Sequence, residues 1–131
     1  MDSQKLLLYS LLLMISQWTL AQQPITLGDE FRVNAYSVGD QKAPATASNL
    51  DGRTVIAYQS AELDGDGDGI FLQLYDEHDN QVTGEIPANT FNTGNQRDPA
   101  VAMDLEGNFV VVWASNGQDG DKWGVFGQLF A

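Results

Sequence analysis

Asp64-Gly65-Asp66-Gly67-Asp68-Gly69, followed at once by Ile70-Phe71-Leu72-Gln73-Leu74-Tyr75, is the stretch whose reading decides the fold. Three carboxylates at alternate positions repel one another, and the glycines between them reach φ > 0 at little steric cost, so the loop can curl. A hard cation at the focus of such a curl replaces the repulsion with oxygen coordination, as Ca²⁺ does in acidic loops. Further on, Asp119-Gly120-Asp121-Lys122-Trp123-Gly124 precedes Val125-Phe126-Gly127-Gln128-Leu129-Phe130, a weaker copy of the same loop and apolar run. The duplication predicts an architecture and a metal, and is less informative about a biological partner.

The copy is not confined to the loop. Shifted by 55 positions, residues 30–76 align without a gap on residues 85–131, and 18 of the 47 pairs are identical. Asn34 meets Asn89, Gly39 meets Gly94, Gln41 meets Gln96, and Pro44-Ala45 meets Pro99-Ala100. Tyr58 meets Trp113, a conservative exchange. Repeats of this period signal stacked supersecondary units.

Each unit reads as short strands broken by turns. Pro44–Asn49 is a weak strand, Leu50-Asp51-Gly52-Arg53 a hairpin turn built on an Asp-Gly pair, Thr54–Gln59 a second strand and Ile70–Tyr75 a third. Asp76–Asn80 turns again into a fourth segment around Val82–Ala88. The second unit repeats the order, and its central run Val110-Val111-Val112-Trp113, apolar at every position, predicts burial on both faces. No helical period follows residue 22. The expected class is all-β, with two four-stranded antiparallel blades like those of a propeller; a small β-sandwich made of a duplicated sheet is the alternative. Two blades do not close a ring, so a longer array, a ring of several chains and a stacked pair all stay open.

Ahead of the repeats, Lys5 precedes an apolar run from Leu6 to Ile15, and Thr19-Leu20-Ala21 offers small residues where a signal peptidase reads. The run is about half of the ~20 residues of a membrane-spanning helix, which predicts a cleaved secretory leader at residues 1–21, with the mature chain starting near Gln22 and holding no membrane span. Residues 22–84 and 85–131 are then the two repeat units. The 131 residues include no cysteine, so a loop-rich exported domain must be held by something other than disulfides. A net charge of −12 argues against nucleic acid as a partner and suits divalent cations or simple solubility.

Glu30-Phe31-Arg32-Val33-Asn34, the segment from Gly39 to Ala45, the acidic-Gly turn with its valine-rich strand, and the Asp-Gly loop before Ile70 together resemble tandem repeats of large secreted bacterial proteins of the calcium-binding, haemolysin-type or adhesin-like kind. The resemblance covers residues 28–131 and implies blade-like structure and Ca²⁺ binding. The loop is also similar to the Asp-x-Asp-x-Asp-Gly calcium loops of integrin-type propeller repeats, matched here by Asp64, Asp66, Asp68, Gly69 and Ile70. It departs from them at the ninth position, Leu72. Tyr75 stands at the twelfth, where an EF-hand has its closing acid.

Asp64, Asp66 and Asp68 are therefore the expected Ca²⁺ ligands, or else a solvated acidic turn. Asp119 and Asp121 fit a plain turn better, because Trp123 stands where the third aspartate would be. Trp123 is a candidate platform for a sugar ring, against the ordinary alternative of packing on a neighbouring sheet. Trp113 and Tyr58 read as core, and His78 as a turn residue facing solvent. No nucleophile motif or phosphate loop is present, and carboxylates set in solvated glycine turns lack the surroundings that tune an acid catalyst, so catalysis is not expected. The expectation is a secreted, calcium-steadied β-repeat module with a structural or adhesive role at a cell surface. A small carbohydrate-binding protein that assembles a ring from several copies is the second reading.

Overall fold

The computed structural model describes residues 24–131; the expected leader and the cleavage point at Gln22 lie outside them. The chain divides into two compact units, Met1–Phe31 and Arg32–Ala131. Pro24–Phe31, the described part of the first, carry no strand. The second holds both copies of the repeat and is all-β. Its strands are β1 (Gln41–Ser48), β2 (Thr54–Ala61), β3 (Asp68–Tyr75), β4 (Ile86–Pro87), β5 (Gln96–Met103), β6 (Phe109–Asn116) and β7 (Trp123–Phe130). They form two antiparallel sheets, ordered β1-β2-β3-β4 and β5-β6-β7. The sheets do not close a ring, and a β-sandwich is compatible with them. No helix among the described residues is long and apolar enough to cross a membrane.

The repeat survives folding residue for residue. Three strands of one sheet map on three of the other at the 55-residue spacing, and so do the irregularities. In β1 the ladder slips between Lys42 and Ala45, and in β5 between Arg97 and Ala100. Each slip inserts an extra residue before a proline, which has no N–H for the ladder. The extra residues, Ala43 and Asp98, both take positive φ (51° and 56°). The hairpin turns match too: Asn49 Oδ1 accepts from Arg53 N at 3.0 Å, and Asp104 Oδ1 from Asn108 N at 2.9 Å. Gly52 and Gly107 close these turns at φ of 92° and 93°, where a β-carbon is disfavoured.

Two expectations require correction. Among the described residues the second sheet has three strands, not four, and the fourth strand of the first sheet shrinks to Ile86–Pro87. The segment expected around Val82–Ala88 meets β3 without a continuous ladder. Val82 N donates to Leu74 O and Ala88 N to Ile70 O, each at about the normal length (2.9 and 2.8 Å), while between them Thr83 O accepts from the Gln73 side chain. Nor is Val110–Trp113 covered on both faces. Val111 and Trp113 are buried, whereas Val112 lies on an exposed face with Val125 and Leu129.

The core shows how the copies meet. Val55, Ala57, Ile70 and Leu72 from one face of the first sheet pack with Ala88 against Phe109, Val111 and Trp113 of the second. Residues directly opposite across a ladder share a face, so Ala57 and Leu72 pair on the buried side. In the second sheet the buried side carries Phe109 opposite Phe130, with rings stacked 4.8 Å apart, and Trp113 opposite Phe126. Under the 55-residue shift, Phe109, Val111 and Trp113 align with Thr54, Ile56 and Tyr58, which lie on the other side of β2. One sheet thus offers its first face and the other its second. This head-to-tail relation leaves the second sheet's first face uncovered among the described residues.

Candidate functional site

The acidic loop joins β2 to β3. Its backbone is a tight turn in which Glu62 N donates to Gly67 O (2.6 Å) and Gly65 N to Glu62 O (3.3 Å). Glu62, Gly65 and Gly67 all adopt positive φ, which explains the glycine spacing at the latter two. Gly69 gives room for the Asp64 carboxylate, which a β-carbon there would displace. Gly67 lies so close to Gly94 that a β-carbon would come within 2.5 Å of the Gly94 carbonyl oxygen.

Each of the three aspartates has its own partner. Asp64 Oδ2 accepts from Asn89 Nδ2 at 3.3 Å, and Asp66 Oδ2 from Gly94 N at 3.1 Å. Asp68 Oδ2 accepts from Gln59 Nε2 at 2.5 Å and pairs with Lys42 Nζ at 3.7 Å, while its backbone N–H donates to Asn95 Oδ1. No group of three or more His, Cys, Asp or Glu side chains capable of holding a metal ion comes together among the described residues. All three residues instead tie the loop to residues 89–95, the start of the second copy. Each carboxylate meets the protein through Oδ2. Asp64 Oδ1 is buried and has no hydrogen-bond partner. An orphaned anionic oxygen inside a loop calls for a cation or a water, since burial without a partner is costly.

Asn89 is the centre of this seam. Buried itself, it accepts from Ile70 N at 2.7 Å and donates to Asp64 Oδ2, Phe91 O and Gln96 Oε1. Nearby Glu85 accepts from the Tyr58 hydroxyl and from Ala35 N and Tyr36 N. Burial, then the hydrogen bond to Glu85, push the Tyr58 hydroxyl well above the ordinary phenol range, so it stays protonated and donates. The identity of Asn34 with Asn89 across the repeat is the sequence signal that marks this residue as more than loop filler.

The second loop is a plainer copy. Asp119 sits against Gly124 as Asp64 sits against Gly69, and Asp119 Oδ1 receives Asp121 N at 3.4 Å. Both residues are exposed. Trp123 is 41% exposed, and the Arg97 guanidinium stacks over its ring at 3.7 Å. Arg97 and Trp123 occupy the aligned positions of Lys42 and Asp68. The ion pair of the first copy is replaced in the second by a cation–π contact, and the missing third aspartate has a structural substitute. Arg97 covers one of the two ring faces a sugar would use. Beside it, an open cleft of about 360 Å³ is lined by Lys42, Gln59, Asp68, Asn95, Arg97 and Asp98.

No protein-family model, curated protein or solved structure matches the chain.

Proposed function

We propose that this chain is a secreted, non-catalytic β-repeat module whose two sheets stack as successive propeller-like blades and serve as a structural or adhesive surface, with Ca²⁺ steadying the acidic loop. The blade reading draws support from the head-to-tail packing: a blade offers opposite faces to its two neighbours, whereas a sandwich with two-fold symmetry brings equivalent faces together. The calcium reading rests on the buried, partnerless Asp64 Oδ1 in a loop that already bridges the two copies. Asp64, Asp66 and Asp68 are the residues that would hold the ion. Bound there, it would supply positive charge to a −12 chain and stiffen the seam without disulfides.

The test is titration calorimetry and thermal melting in millimolar Ca²⁺ and in chelator, on the wild type and Asp64→Asn. Affinity of about 10⁻⁴–10⁻³ M, the range of extracellular modules, is expected, with a raised melting temperature that Asp64→Asn loses. No heat and superimposable melts would remove calcium from the account.

The carbohydrate reading is favoured by one feature, the polar cleft beside Trp123. Its test is a glycan array: binding lost in Trp123→Ala supports it, and an array without binding counts against it.

A further inference from the structure

Within the chain, the seam between the copies has a definite plan. Residues 85–95 lie along the outer edge of β3 and on the acidic loop. Pro87 pairs with Phe71 and Ile86 with Leu72, Ala88 N donates to Ile70 O, and Asn89 Oδ1 takes Ile70 N. Asn89, Gly94 and Asn95 then receive the three aspartates. Shifted back by 55 positions, these residues are Glu30–Asp40. Shifted forward, β3 and the acidic loop become β7 and residues 117–122.

We propose that Glu30–Asp40 of one copy of this chain dock on the outer edge of β7 and the 117–122 loop of a second copy, repeating between chains the seam that residues 85–95 make within one.

Both halves are already shaped for it. Asn34 Nδ2 donates to Tyr36 O (2.7 Å) and Gln41 Oε1 (3.3 Å), the counterparts of the bonds from Asn89 to Phe91 O (3.1 Å) and Gln96 Oε1 (3.2 Å). Gly39 turns at φ 68° where Gly94 turns at 71°. On the receiving side, Gly117 N donates to Lys122 O at 2.6 Å and Gly120 N to Gly117 O at 3.1 Å, the same turn as 62–67. The docked segment would place Asn34 Oδ1 on Val125 N, Asn34 Nδ2 on Asp119, Gly39 N on Asp121 and Asp40 on Trp123 N.

The receiving half also has unmet needs that the inner seam meets. β7 is an edge strand, with no described strand on its outer side. The sheet face next to that edge is open as well: Val125 and Leu129 are 80% and 76% exposed, although Ile70, aligned with Val125, is fully buried in the core between the sheets. Trp113 Nε1 is buried without a partner, at the position where Tyr58 donates to Glu85; the aligned acceptor is Glu30. Side-chain sizes compensate as well. Leu72 opposite Ile86 becomes Gly127 opposite Phe31, a smaller residue facing a larger one. Strand addition to an exposed edge supplies main-chain hydrogen bonds, with side chains fixing the register. The contact is heterologous, so it propagates until a ring closes or a filament grows.

The test is sedimentation of the secreted chain across a concentration series, with Val125→Lys as a damaged receiving edge and Val33→Asp as a damaged docking segment. Wild type is expected to assemble with rising concentration, and each variant to stay monomeric with an unchanged β-sheet circular dichroism spectrum. An equimolar mixture should form dimers and nothing larger, because each variant retains one sound half. A synthetic peptide of residues 28–42 should disperse wild-type assemblies. A monomeric wild type at every concentration, assembly unaffected by Val125→Lys, a mixture that stays monomeric, or a peptide without effect overturns the proposal.

Discussion

Asn89→Ala should be far more damaging than Asn34→Ala, although the two residues are aligned, identical and similarly bonded to their own loops. Asn89 satisfies Ile70 N at 2.7 Å and Gln96 Oε1 at 3.2 Å, both on fully buried residues. Truncation leaves each without a partner at a cost of about 1–3 kcal/mol, or about 2–6 kcal/mol together. Asn34 forms only the two local bonds to Tyr36 and Gln41, so its loss should cost about 0.5–1.5 kcal/mol. Urea denaturation followed by tryptophan fluorescence, at a dilution where the chain is monomeric, reads the difference. With a slope of about 1–3 kcal/mol/M, Asn89→Ala should lower the midpoint by about 1–2 M. Equal shifts for the two variants would refute the reasoning, because the seam would then add nothing to what the local loop already supplies.

Gly67→Ala should destabilise by about 1–3 kcal/mol, since the backbone carbonyl of Gly94 blocks the new carbon, whereas Gly65→Ala meets open space and bears only its φ strain; paired denaturation curves check the order. Leu72→Ala, at the fully buried centre of the core, should cost about 2–5 kcal/mol in the same assay. Trp123→Asp, which leaves Arg97 facing a carboxylate as Lys42 faces Asp68, should be better tolerated than Trp123→Ala, as read from melting temperatures. The Asp76 and Asp104 carboxyls are held below their ordinary 3.8, chiefly by the side chains of Asn80 and Asn108. A lowered folded pKa favours the ionised form, so their contribution is whole above about pH 4 and drains away as pH falls through the folded values. Asp76→Asn with Asp104→Asn should flatten the stability profile there, and an unchanged acid limb would count against those turns as its source.

What was legible in the sequence came through the repeat and the turns. The Asp-Gly and Glu-Gly hairpins and the apolar runs place β2, β3, β6 and β7 within a few residues, because turn chemistry and alternation are local. β1 begins earlier than Pro44 because the bulge lets the ladder resume at Gln41-Lys42. β4 shrinks because Gly84 and its neighbours leave the ladder and Pro87 lacks an N–H, so backbone alone does not hold Val82–Ala88 in register. The partners of Asp64, Asp66 and Asp68 lie 25 to 28 residues away or across the sheet, and nothing in Asp-Gly-Asp-Gly-Asp-Gly announces them. The exchange of Lys42 and Asp68 for Arg97 and Trp123 is visible in the aligned copies, as a paired change at two positions. Its meaning needs the 3.7 Å stack to be seen.

The central claim is that one unit's edge is sealed by the next copy while the aligned edge of the other is not. Residue-resolved amide exchange at high dilution compares Ile70 N–H, bound to buried Asn89, with Val125 N–H at the same place on β7. Ile70 should exchange only on opening of the core, and Val125 orders of magnitude faster. Equal protection of the two amides would contradict the account.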